Sequence, residues 1–112
     1  MNAGDRAEQI AAAYLQGQGL ALVESRYRCR WGEIDLILRD RDTLVFAEVR
    51  LRRSQDFGGA AYSVDRHKQA RLVATARHYL ARTRDAACRF DVVLLDRIDP
   101  PRIEWIRDAF SA

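Results

Sequence analysis

Two strand-length runs, residues 32–39 and 43–51, are separated by little more than the polar turn Arg39-Asp40-Arg41-Asp42. So short a link favours one arrangement, an antiparallel hairpin. Side chains two apart on a strand share a face. In the first run Glu33, Asp35 and Ile37 are therefore expected on one face, with Ile34, Leu36 and Leu38 on the other. In the second, Leu44, Phe46, Glu48, Arg50 and Arg52 are expected opposite Val45, Ala47, Val49 and Leu51. Each run thus has one clean apolar face and, on its reverse, one acid set among apolar neighbours.

The rest of the chain supplies the layers such a hairpin needs. Residues 4–18 place Ala7, Ile10, Ala11, Tyr14 and Leu15 on one helical stripe, and Gly17 and Gly19 mark its end. Residues 20–27 read as a further strand. Residues 54–59 read as a loop hinged at Gly58-Gly59. A second helix is expected from about Ser63 to Ala81, carrying Val64, Lys68, Leu72, Ala76, Tyr79 and Leu80 along one side. Residues 89–95 form a nearly continuous apolar run, typical of a buried strand. Pro100-Pro101 breaks the chain, and Ile103, Trp105, Ile106, Ala109 and Phe110 read as an apolar tail that docks on the core. The order α-β-β-β-α-β predicts an α/β fold with a mixed central β-sheet flanked by helices. At 112 residues the chain is long enough for one domain with one modest core.

Composition narrows the class of function. Hydrophobic residues make up 48% and charged residues 31%, a soluble globular balance with no run approaching the roughly 20 apolar residues of a membrane helix. The first residues, MNAGDRAEQI, are polar and acidic and do not resemble a secretory signal, so a cytoplasmic location is expected. Cys29 and Cys88 lie far apart with no CxxC pair, which argues against zinc and for two reduced thiols used as small buried residues. Net charge is only +3, but 18 of the 19 basic residues are Arg, and they cluster. Arg26, Arg28 and Arg30 alternate with Tyr27 and Cys29 and end at Trp31; Arg50, Arg52 and Arg53 form a second group. Guanidinium forks match phosphate, and basic residues interleaved with aromatics suit nucleic acid. Such charges also suit a solvated strand edge protected from aggregation.

The two embedded acids carry the chemistry. If the runs pair, Asp35 and Glu48 come within several ångströms of one another. Close carboxylates repel, and a divalent ion relieves the repulsion. Mg²⁺ takes one or two carboxylates, keeps several waters and binds phosphate. Arg50 follows Glu48 by two, on the same face, where it can meet a phosphate or an attacking water. The alternative is that Asp35 and Glu48 simply pair with Arg50, Arg28 or Arg30. Asp5-x-x-Glu8 has the look of helix capping. Glu33 is expected to balance an arginine, and Asp91 to hold a backbone amide or an arginine. His67 and His78 are expected at exposed polar positions. Tyr62, Tyr79 and Trp105 are expected in core or interface, with Trp31 and Tyr27 the better base-stacking candidates.

Several segments together resemble the YraN family of bacterial proteins and, more broadly, the restriction-endonuclease-like and Holliday-junction-resolvase-like superfamily. They are Gly4-x-x-Ala7-Glu8, Gly32-Glu33-Ile34-Asp35-Leu36-Ile37, Val45-Phe46-Ala47-Glu48-Val49-Arg50, Lys68-x-x-Arg71-Leu72, Arg89-Phe90-Asp91-Val92 and Trp105-Ile106-x-x-Ala109-Phe110. The resemblance implies a restriction-endonuclease-like fold and a metal-dependent nuclease motif. By position, Asp35 and Glu48 would be the metal-binding acids, the Val49 carbonyl a further ligand, and Glu8 the helix acid that completes the cluster around Mg²⁺ or Mn²⁺. The family pattern has Lys where this chain has Arg50, and Arg stays protonated. Lys68, on the second helix, is the alternative source of an ammonium group. Arg28, Arg30, Arg52 and Arg53 would position a DNA backbone, with the 52–59 loop closing over it. A homodimer would suit a symmetric substrate. The rival expectation is a non-catalytic module of DNA processing that binds nucleic acid or recruits proteins.

Overall fold

Asn2 opens the first helix: its side-chain oxygen accepts the Asp5 N–H at 2.8 Å, the ordinary work of an N-cap. The helix, α1 (Ala3–Gly17), ends in a Schellman turn. Gly19, at φ 100°, donates to the Gln16 carbonyl, and Leu20 donates back to Leu15. The same turn buries Leu20 beside Leu15 and aims the chain into the sheet.

The computed structural model describes residues 2–51, 64–83 and 87–112. After α1 come β1 (Ala21–Cys29), β2 (Gly32–Asp40), β3 (Thr43–Leu51), α2 (Arg66–Leu80), β4 (Ala87–Ile98) and β5 (Pro101–Phe110). The five strands form one sheet in sequence order. All neighbours are antiparallel except β3 and β4, which run parallel with α2 in the crossover between them. This mixed sheet with a helix layer on each face is compatible with a restriction-endonuclease-like fold. No helix among the described residues is long and apolar enough to cross a membrane.

Each helix covers its own core. Ala7, Ala11 and Leu15 of α1 pack on Leu36, Leu38, Val45, Ala47, Val93 and Leu95. Leu72, Ala76 and Tyr79 of α2 pack on Tyr27, Ile34, Ile37, Phe46, Phe90 and Leu94. The central strands are thus buried on both faces, while β1 and β5 form the exposed edges.

Four expectations need correction. The C-terminal tail is a full strand, not a docked apolar segment. Its residues Ile103, Trp105 and Ile106 pair with Leu95, Val93 and Val92, covering what would be an open edge of β4. The ladder bulges opposite Asp91, where Asp108 takes φ 53° and donates its N–H to Asp91 Oδ1 at 2.9 Å. Cys88 is exposed at the start of β4, while Cys29 is half-buried. Tyr27 is core, not a stacking platform: it is 3% exposed, and its hydroxyl lies 2.5 Å from Nδ1 of His78, which is therefore engaged although exposed. In β2 the expected alternation fails. Ile34 packs under α2 with Ile37, while Leu36 and Leu38 face α1. The switch occurs at Asp35, which stands across from Arg26 of β1, and Arg26 has the left-handed φ of 53°.

Candidate functional site

The β2–β3 ladder pairs Ile37 with Phe46 and Leu36 with Ala47, so one further step brings Asp35 opposite Glu48. The regular pairing stops there. The Val49 N–H, which faces β2, is taken by the Asp35 side chain instead of a β2 carbonyl, with Oδ2 accepting at 2.8 Å. The N–H and C=O of one extended residue project to the same side, so the Val49 carbonyl also faces Asp35. Glu48 is 9% exposed and points toward α2, as the intact alternation of β3 requires.

These two carboxyls disturb each other. The Asp35 pKa is pushed up from 3.8 to about 7, first by burial and then by the charge of Glu48. The Val49 hydrogen bond opposes the rise, and the more distant charge of Glu8 adds to it. No guanidinium neutralises Asp35 among the described residues. Among the described residues the one cation bonded to the pair is Lys68, whose Nζ lies 3.1 Å from Glu48 Oε1. The helix cap places it. Asp65 accepts the Lys68 N–H at 2.8 Å, fixing Lys68 in the first turn of α2 with its side chain over the acids. The result is a cavity of about 220 Å³ lined by Gly32, Glu33, Asp35, Glu48, Lys68 and Arg71. The two carboxylates on its wall offer all-oxygen donors of the kind suited to a hard divalent cation that keeps much of its water.

The family model described as "Uncharacterised protein family UPF0102" matches residues 7–95. A UPF0102 protein of Nitrosomonas europaea is 59% identical over 98% of this chain and 94% of the relative. One from Methylobacillus flagellatus is 51% identical over 97% of this chain and 96% of its own. The chain belongs to the UPF0102 family, the YraN family.

Other site residues proposed for this UPF0102 chain are distributed differently. Glu8 does not cap α1, which starts at Ala3; it bonds Arg26 Nε at 2.9 Å, and Asp5 holds the same guanidinium. These bonds, that of Glu8 first, drive the Arg26 pKa upward. Among the described residues no three His, Cys, Asp or Glu side chains gather closely enough to hold a metal between them, so Glu8 stands apart from the pair. Arg50 is half-buried, does not line the cavity and has no ion pair among the described residues. Arg28 is bound to Glu33 at the cavity rim, as expected of Glu33. Arg30 lies 4.5 Å over the ring of Trp31, which is 46% exposed in the β1–β2 turn. Arg52, Arg53 and the 52–59 loop lie outside the described residues. Asp91 serves structure, accepting from Arg89, from Trp105 and from the Asp108 N–H.

One lining residue had no role assigned from sequence. Arg71 was visible only as part of a helical Lys-x-x-Arg step, a spacing common on any solvated helix face. Its place at the cavity depends on how closely α2 approaches the β1–β2 turn, and spacing does not encode that.

Proposed function

We propose that this protein binds nucleic acid at the Asp35–Glu48 cavity and hydrolyses a phosphodiester there with Mg²⁺ or Mn²⁺, structured DNA being the substrate. The observation that carries the reading is a pair of facing carboxyls, one oriented by a backbone N–H and the other by an ammonium group. Asp35, Glu48 and the Val49 carbonyl would hold the ion. A carboxyl pushed up to about 7 by burial and by its neighbour's charge gains most from a divalent counter-charge. Such an ion supplies a Lewis acid and a water of lowered pKa.

The chain's own groups do the rest. Glu48 orients Lys68, whose ammonium can donate a hydrogen bond to a phosphate oxygen or to the attacking water. Arg50, always protonated, can contribute charge but cannot take a proton. Arg28 and Arg30 offer charge beside the cavity for the flanking backbone, and Arg52 and Arg53 belong to the same reading. Glu8, tied to Arg26, is not assigned to the ion. A cytoplasmic location and a homodimer acting on a symmetric substrate complete the proposal.

The test is direct. Purified protein should nick branched or single-stranded DNA with Mg²⁺ or Mn²⁺, and Asp35→Asn should abolish cutting while leaving binding intact. Arg50 standing where the resemblance calls for Lys favours one second reading, a non-catalytic module that binds nucleic acid or recruits proteins. Salt-dependent DNA binding without cleavage in any metal would select it.

A further inference from the structure

We propose that Arg71 binds a nucleic-acid phosphate at the mouth of the Asp35–Glu48 cavity, where the turn of α2 that carries it is seated through Thr75 against the bare backbone of Gly32. The inference rests on the reading above and adds a phosphate-positioning residue to it.

Arg71 follows Lys68 by three on α2, so the two share a helix face and both line the cavity. The adjoining wall is the end of the β1–β2 turn. A β-carbon at Gly32 would sit 3.3 Å from Thr75 Oγ1 and 3.8 and 3.9 Å from Nη2 and Nε of Arg71. Gly32 also has φ 150°, a conformation that side chains disfavour. The helix thus closes on bare backbone, and the Arg71 fork rests against it. Thr75, fully buried, fixes this turn of helix by donating its hydroxyl to the Arg71 carbonyl at 2.8 Å.

Charge pairing then separates Arg71 from Lys68, the other cation that lines the cavity. Arg26 is held by Asp5 and Glu8, Arg28 by Glu33, and Arg89 by Asp40 and Asp91. Lys68 is held by Glu48. Among the described residues no carboxylate pairs with Arg71. It is exposed and lines a cavity whose other wall carries acids. Those acids repel a phosphate, so a strand approaching them needs a cation that is not already committed. A guanidinium offers two parallel N–H donors to a phosphate, which an ammonium cannot.

The experiment measures binding of a fluorescently labelled branched DNA duplex across a KCl series, with Ca²⁺ replacing Mg²⁺ so that the strand is held and not cut. Arg71→Ala should weaken binding about tenfold and make the slope of log affinity against log salt shallower by about one. Arg71→Lys should restore the slope but only part of the affinity. Gly32→Ala presses a β-carbon on Thr75 and strains the turn, so by shifting the helix turn that carries Arg71 it should weaken binding in the same direction by a smaller factor. Arg77→Ala removes an equal charge from the same helix away from the cavity and should leave the slope unchanged. Thermal unfolding of each variant reports that the fold is intact, and the Arg71→Lys and Gly32→Ala arms carry the test if Arg71→Ala does not fold. Wild-type affinity and slope in Arg71→Ala, or an equal loss in Arg77→Ala, would overturn this inference alone. Absence of DNA binding by the wild type would overturn the proposed function and this inference with it.

Discussion

Two acids inside this sheet, Asp91 fully buried and Asp35 half-buried, live differently. Asp91, 1% exposed, receives the Arg89 guanidinium at 3.0 Å, the Trp105 indole N–H at 2.9 Å and the Asp108 backbone N–H at 2.9 Å. Asp35 receives one backbone N–H and faces a second acid. Burying a charge is costly unless hydrogen bonds and counter-charge offset the lost hydration. At Asp91 the offset is complete, and the group fastens the bulge of β5 to β4. At Asp35 it is not, and the site keeps an unmet demand for positive charge. In one chain, the acid that is fully served belongs to the architecture, and the one left wanting is the one to which the proposed ion is assigned.

That contrast can be broken by substitution. The largest effect is expected at Asp91. Asp91→Ala strands the Trp105 and Asp108 donors and should cost about 3 kcal/mol of stability in a urea titration. Asp35→Asn should do the opposite and stabilise the metal-free protein by about 1–3 kcal/mol at roughly pH 8, because it removes a strained charge but keeps an acceptor for Val49. Equal destabilisation by both variants would erase the distinction.

The pH dependence sharpens it. The Asp35 carboxyl titrates at about 7 when folded, against 3.8 unfolded. Between these values the folded state holds more protons than the unfolded one, so stability falls as pH rises. The contribution is fully present below 3.8 and lost as the pH passes about 7, and an Asp35→Asn profile should lack this decline. Mn²⁺ at about a hundred times its dissociation constant should return roughly 2.7 kcal/mol to the wild type above neutral pH and nothing to Asp35→Asn. The smallest effect belongs to Lys68→Met. It breaks a pair whose cation is 42% exposed and should cost less than about 1 kcal/mol by chemical denaturation.

The sequence disclosed the site better than the edges of the fold. A short turn between two strand-length runs forces register, so Asp35 opposite Glu48 was readable, and the alternation of β3 held throughout. The side-switch at Ile34 was not readable. It arises beside a left-handed residue on the neighbouring strand, and Arg26 carries none of the Gly or Asn signal that normally announces one. The fifth strand was hidden for a related reason. Pro100-Pro101 reads as an ending, and the bulge at Asp108 interrupts the period-two pattern that would have marked a strand. The capping look of Asp5-x-x-Glu8 does not hold because Asn2 caps α1 a turn earlier, and the Arg26 partner of Glu8 lies on β1, which spacing does not encode. Arg71 needed a tertiary fact, the bare contact between α2 and Gly32.

β3 is antiparallel to its neighbour on one side and parallel on the other, and this gives the molecule a built-in chronology. The hairpin that joins the acids closes over a few residues, whereas the pairing of β3 with β4 must wait for the whole crossover. The contact between Asp35 and Glu48 is therefore local in sequence, whereas Lys68 and Arg71 belong to the crossover that closes over a longer loop. Local closure joins the two acids, and the slower, longer-range closure brings their ammonium partner to them.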